Sequence, residues 1–300
     1  MSAVLDTVRE APGAPAPRRR TKGRSGAGDV QRAGWPTCVV LTVVALVSVY
    51  PLYWALVGAS RSSDQIAQSP PPMTPGGHLW DNLKTAWDQG NLGKALTNSL
   101  VVSSCIAIGT VLFCTMAGFA FAKLRFRGNS ALFAFTIGTM MVPPQLGIIP
   151  LYLLMSKLGF TNHIISVILP TLVTAFGVFF MRQYVLQAVP TELLEAGWVD
   201  GASTARIFFS IVLPILRPAM TVLGMLTFLA AWNDFFWPVV TLGSDNPTVQ
   251  VALANIGVSY FTDYSLVFAG VVAGTLPVIV VFAVLGRQIV GGIMQGSLKG

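Results

Sequence analysis

The sequence predicts an all-α integral membrane protein with six transmembrane helices, and two observations carry that prediction. Of its 300 residues, 53% are hydrophobic and only 10% are charged, whereas a soluble domain carries about 25% charged residues. The apolar residues also gather into six runs, at 35–59, 97–122, 131–154, 164–181, 218–243 and 265–286. Each suits a spanning helix, which needs about 20 apolar residues. The fifth run contains a single charge, Asp234, and the others contain none. Barrel strands would be about 10 residues long and alternate in polarity, a pattern absent here.

Orientation follows from Lys and Arg, which collect on the cytoplasmic side of a membrane. With the N-terminus inside, Arg9, Arg18, Arg19, Arg20, Lys22, Arg24 and Arg32 lie inside, with Lys123, Arg125, Arg127, Arg182, Arg206, Arg217, Arg287 and Lys299. Only Arg61, Lys84, Lys94 and Lys157 of the 19 basic residues are left outside. Both termini are therefore expected in the cytoplasm. The net charge of +7 is a topology signal, and no nucleic-acid partner is expected, because the basic residues share no groove.

The elements follow in order. Residues 1–34, rich in Ala, Pro, Gly and Arg, read as a disordered cytoplasmic tail. The first run is too long for a secretory signal and reads as an uncleaved anchor. An outer loop follows at 60–93, with a proline run at Pro70-Pro71-Pro72 and a short interfacial helix expected at 80–86. The third run holds Pro143-Pro144 and Pro150, which should break it, and Pro170, Pro238 and Pro277 are expected to interrupt three more. An outer loop at 244–264 carries Asn246, Asn255 and Tyr260. Amides interleaved with aromatics suit contact with carbohydrate or protein, and equally suit a turn at the membrane interface. Asn233 and Asp234, bracketed by Trp232 and Trp237, form the polar pair inside a run, a candidate gate or substrate path.

Several chemistries find no support. There is no GxxxxGK[ST] phosphate loop and no HExxH or GxSxG motif. His78 and His163 sit in separate loops, and Cys105 and Cys114 are nine residues apart, on opposite faces of one helix. No metal site is expected.

The polar island at 189–218 is the most informative segment. Thr191 is placed to cap a helix, with Glu192 in its first turn. Leu194 and Trp198 are four apart, and Gly201 can end the helix in a left-handed conformation. Ser203 can cap a second helix whose apolar residues Ile207, Phe208, Ile211 and Val212 have helical spacing. Pro214 and Pro218 would then set the angle into the fifth run. The residues alone fit an interfacial hairpin and a docking surface for a partner about equally.

The spacing Glu195-Ala196-Gly197, Gly201 and Ile211-x-Leu213-Pro214 resembles the EAA loop of permease subunits of ATP-binding-cassette (ABC) importers, and Asp200-Gly201-Ala202-Ser203 resembles its carbohydrate-uptake branch. Also similar to that branch, and to its maltose permease G-like group, are Met141-Val142-Pro143-Pro144-Gln145, Ile149-Pro150-Leu151-Tyr152, 231–238 and 296–300. The third motif position, usually Ala, is Gly197 here. The resemblance implies a type I ABC importer permease fold, with a core at 94–289, a coupling loop at 189–214 and a cytoplasmic C-terminus at 290–300, after a first span and loop at 35–93.

It implies a bacterial inner-membrane chain with four kinds of partner: a second homologous permease subunit, a homodimeric cytoplasmic ATPase, an extracytoplasmic solute-binding protein and the lipid bilayer. The chain itself would be no enzyme and hold no cofactor, ATP and magnesium belonging to the ATPase. Glu195 would pair with a basic residue of that ATPase, and Gly201 would let the turn enter its cleft. Sugar is the implied cargo, with a polyol or glycerophosphodiester as the alternative. A membrane hydrolase lacks a nucleophile–base pair here, and a secondary transporter should carry more than one intramembrane acid.

Overall fold

The computed structural model describes residues 34–257 and 263–297. The tail at 1–33, Tyr260 and the last three residues lie outside them. The described residues are helical, with no strand among them. α1 spans Trp35–Ala59. Its part up to Ser48 forms one unit, and a compact body begins at Val49.

In the body, α2 (Ser63–Ile66) and α3 (Leu79–Gln89) follow α1, and α3 contains the helix expected at 80–86. α4 (Leu92–Lys123) is the second span. The third is broken as expected: α5 (Asn129–Thr139) and α6 (Ile148–Lys157) flank a 3-10 turn at Pro144–Gly147, and the two halves bend by 92°. Pro143-Pro144 removes two donors in succession and holds the chain extended, with Pro143 at φ −60°, ψ 127°. Pro150 is the third residue of α6, where its missing N–H has no intrahelical acceptor to lose.

The fourth span bends by 43° between α7 (Ile165–Ile168), with its 3-10 extension Leu169–Thr171 at Pro170, and α8 (Ala175–Ala188). The Thr174 hydroxyl caps α8 by accepting from the Gly177 N–H at 3.0 Å. α9 spans Thr191–Val199.

The fifth span departs from expectation. Instead of 218–243, a continuous helix runs from Thr204 to Trp232. It comprises α10 (Thr204–Ile207), a π-helical turn (Phe208–Val212) and α11 (Leu213–Trp232). Pro214 and Pro218 lie inside it and set no angle between separate helices. The π turn explains how: it widens the helix just where the Pro214 ring would meet the carbonyl of Ser210. The break comes later, at 233–235, before α12 (Phe236–Thr241). Pro238, the third residue of α12, therefore interrupts nothing. Nor does Pro277 break the last span, α14 (Tyr264–Ser297). One lost hydrogen bond is tolerated there, since a helix in lipid cannot open its remaining bonds to water.

The expected loop at 244–264 contains α13 (Val249–Gly257). Val249, Val251, Ala252 and Ile256 on it are buried. The Val249 N–H donates to Ser99 Oγ on α4 at 2.8 Å, and Asn98 Nδ2 donates to the Pro247 carbonyl at 3.0 Å.

Among the described residues, four helices are long and apolar enough to cross a membrane, and up to six segments are when each bent pair counts as one. Within the body that begins at Val49, α4 contributes to all three hydrophobic cores. Phe119 packs with Met181, Leu194 and Val212; Leu92 with Trp232 and Ile256; Ile106 with Met155 and Trp237. α4 and α8 approach closely at Gly118, where a Cβ would lie 2.7 Å from the Arg182 backbone nitrogen.

Candidate functional site

The loop between α8 and α11 is a closed, internally bonded unit. Its first cap differs from expectation: Pro190 is the N-cap (φ −61°, ψ 142°) and Thr191 is the first helical residue. The Thr191 hydroxyl instead accepts from Lys123 Nζ at 3.1 Å, tying α9 to the end of α4. Gly201 ends α9 with φ +78°, a conformation that costs other residues roughly 1 kcal/mol or more. The turn closes through Gly201 N–H to the Trp198 carbonyl and Ala202 N–H to the Gly197 carbonyl, both 3.0 Å. Ser203 then caps α10, its Oγ accepting from the Arg206 N–H at 3.3 Å.

α9 divides sharply by face. Leu194 is 0% exposed and joins the core with Val185, Val189, Ile207 and Phe208. Gly197 is also buried, and a Cβ there would lie 3.0 Å from Ile207 Cδ1. The close approach Gly197 permits is thus to the chain's own α10. Ile211, Leu213 and Ala202 are half-buried around the same core, and Pro214 is exposed. Glu195, Ala196, Asp200 and Gly201 face outward, beside Val199 at 87% exposure. The surface so presented is a short, rigid ridge with acidic and apolar character.

Asn233, Asp234 and Trp237 form the break after α11. Asn233 is exposed, and its Nδ2 donates to the Leu229 carbonyl at 2.9 Å. Asp234 is half-buried, and its Oδ1 accepts from the N–H groups of Phe236 (3.1 Å) and Trp237 (3.4 Å). The buried Trp237 donates from Nε1 to the Ser166 carbonyl at 3.0 Å, holding α12 to α7. Beside Asp234 opens a cavity of about 280 Å³, with Thr171, Thr174 and Thr227 as its other polar lining. An apolar cavity of about 360 Å³ lies among α4, α11 and α14.

Asn246 and Asn255 have different settings. Asn255 is exposed on α13, whereas Asn246 Nδ2 donates to the Asn162 carbonyl at 2.7 Å. Sequence reading missed Asn162. It sits at φ +60° and also donates from its N–H to the Thr241 carbonyl (2.8 Å) and accepts from the Gly243 N–H (2.9 Å). The signal for it was Asn itself, the residue after Gly that best tolerates that backbone region.

Residues 114–289 match the family described as binding-protein-dependent transport system inner membrane component. The chain is 32% identical over 261 residues to the lactose transport system permease protein of Rhizobium radiobacter, covering 87% of this chain and 94% of that one. It is 31% identical to the arabinooligosaccharides transport system permease protein of Halalkalibacterium halodurans, covering 89% and 96%. The sn-glycerol-3-phosphate transport system permease protein of Yersinia pestis is 28% identical, covering 86% and 95%. Among solved structures, a bacterial ABC transporter involved in the import of the acidic polysaccharide alginate is similar with a TM-score of 0.73 at 22% identity, covering 85% of this chain and 95% of that one.

Proposed function

The chain belongs to the binding-protein-dependent transport system inner membrane components, and from that membership we propose that it forms half of a sugar pathway driven by a separate ATPase. Its permease role is common to its relatives. The observation that carries the coupling is the ridge on α9: Glu195, Asp200 and Val199 are exposed, while Leu194 fixes them to the core. A surface held that rigidly transmits displacement instead of absorbing it.

In this reading the ridge lies in the cytoplasm with both termini, and the uneven distribution of Lys and Arg supports it. A homodimeric ATPase, which holds the ATP and magnesium, grips Glu195 and the Gly201 turn. A second homologous permease completes the pathway, and an extracytoplasmic binding protein delivers the solute. Closure of the ATPase moves α9 as a lever, and the core shared by α4, α8 and α11 carries the motion into the membrane. The working core is 94–289, with the coupling loop at 189–214. Sugar is favoured by the names of two relatives; a glycerophosphodiester or polyol is the alternative, and the Yersinia relative, named for sn-glycerol-3-phosphate transport, favours a phosphorylated glycerol over a polyol within it.

The test is ATP-driven uptake by the assembled importer in proteoliposomes. Glu195→Ala and Gly201→Pro variants that still insert should lose uptake. Normal transport in both would sink the proposal. Uptake that survives ATP depletion but collapses with a protonophore would favour a secondary transporter.

A further inference from the structure

The cavity beside Asp234 has a chemistry that the coupling loop does not explain. Asp234 uses only Oδ1 for the N–H groups of Phe236 and Trp237; Oδ2 has no hydrogen-bond partner among the described residues. The Thr227 hydroxyl, two helical turns earlier, also lacks one among them. Thr174 accepts from the Gly177 N–H, and its hydroxyl also bonds with Cys114, so it lines the cavity as a polar group already partnered. Thr171 donates to the Val167 and Ile168 carbonyls and keeps its lone pairs. Ile106, Val167 and Ala231 form the apolar wall. A half-buried carboxylate at such a position faces water or a polar solute, not lipid.

Building on the permease role proposed for the chain, and narrowing its cargo, we infer that the cavity is a solute subsite for one neutral, polyhydroxylated ring. Asp234 Oδ2 accepts its hydroxyls, the threonines complete the polar edge and the apolar wall meets its C–H face. At about 30 Å³ per water, about 280 Å³ is the scale of a single sugar unit and not of a chain. No Lys or Arg lines the cavity, so Asp234 repels phosphate and carboxylate there. The subsite therefore favours neutral sugars and disfavours glycerophosphate.

Capping and binding predict different results. Asp234→Asn keeps the Oδ1 cap and removes the charge; Thr227→Val removes a hydroxyl at constant volume. The reporter is Ala230→Cys, which lines the same cavity, in the full chain with the exposed Cys38 and Cys105 changed to Ser. Labelling by cationic and anionic methanethiosulfonates is timed in the assembled importer. The cation-to-anion rate ratio should fall about tenfold in Asp234→Asn, as expected for one nearby charge at intermediate dielectric. Lactose or arabinose should slow labelling, sn-glycerol-3-phosphate should not, and Thr227→Val should weaken the protection. No labelling at all, an unchanged ratio, or protection by glycerophosphate as strong as by sugar would each overturn the inference. Labelling is read without transport, so a failure here is distinct from a failure of the uptake assay.

Discussion

Leu194→Ala tests whether α9 is a docked lever. Only Leu194 and Gly197 of α9 are buried, so Leu194 supplies most of what holds the helix to its core. The substitution removes three carbons, worth about 0.8 kcal/mol each by transfer alone. The unfilled space raises the cost of such a change to about 2–5 kcal/mol. The bond from Lys123 to Thr191 is solvent-exposed and offsets about 1 kcal/mol at most. The loss therefore falls on local opening of α9, while the spans stay folded. Amide exchange across 195–199 should rise by about 30-fold to several thousand-fold, since each 1.4 kcal/mol is a factor of ten. In proteoliposomes, ATP hydrolysis should continue while solute moved per ATP falls. Leu194→Met, which keeps the volume, should restore both to near wild type. Unchanged exchange across α9 in a folded Leu194→Ala protein would refute the docked-lever argument.

Other positions separate fold from coupling. Glu195→Gln should shift thermal unfolding of the isolated chain by no more than about 0.5 kcal/mol, because the side chain is exposed, yet reduce ATPase-driven uptake; a large stability loss would contradict its outward placement. Gly201→Ala should cost roughly 1–2 kcal/mol for its φ of +78°, and Gly201→Asn less, measured by the same unfolding assay; equal stability of all three would mean the turn relaxes. Asn162→Ala should speed amide exchange at Gly243, whose bond to Asn162 Oδ1 it removes; unchanged exchange there would show the two loops hold without it.

Short-range chemistry accounts for everything that was legible in the chain alone. Apolar run length marked the spans, the paired prolines at 143–144 marked the sharp break, and Gly201 and Ser203 marked the turn and second cap of the loop between α8 and α11. Each depends on a residue and its near neighbours. Run length failed where two segments met: it merged α12 with the fifth span and left α10 out, because hydropathy does not register where a helix stops. Packing between elements settled that Gly197 faces its own α10, that one side of α13 is buried, and that Asn246 is held by a residue 84 positions away. Those outcomes depend on which surfaces meet after folding, and the partner surface is invisible to any reading of a residue's neighbours in the sequence.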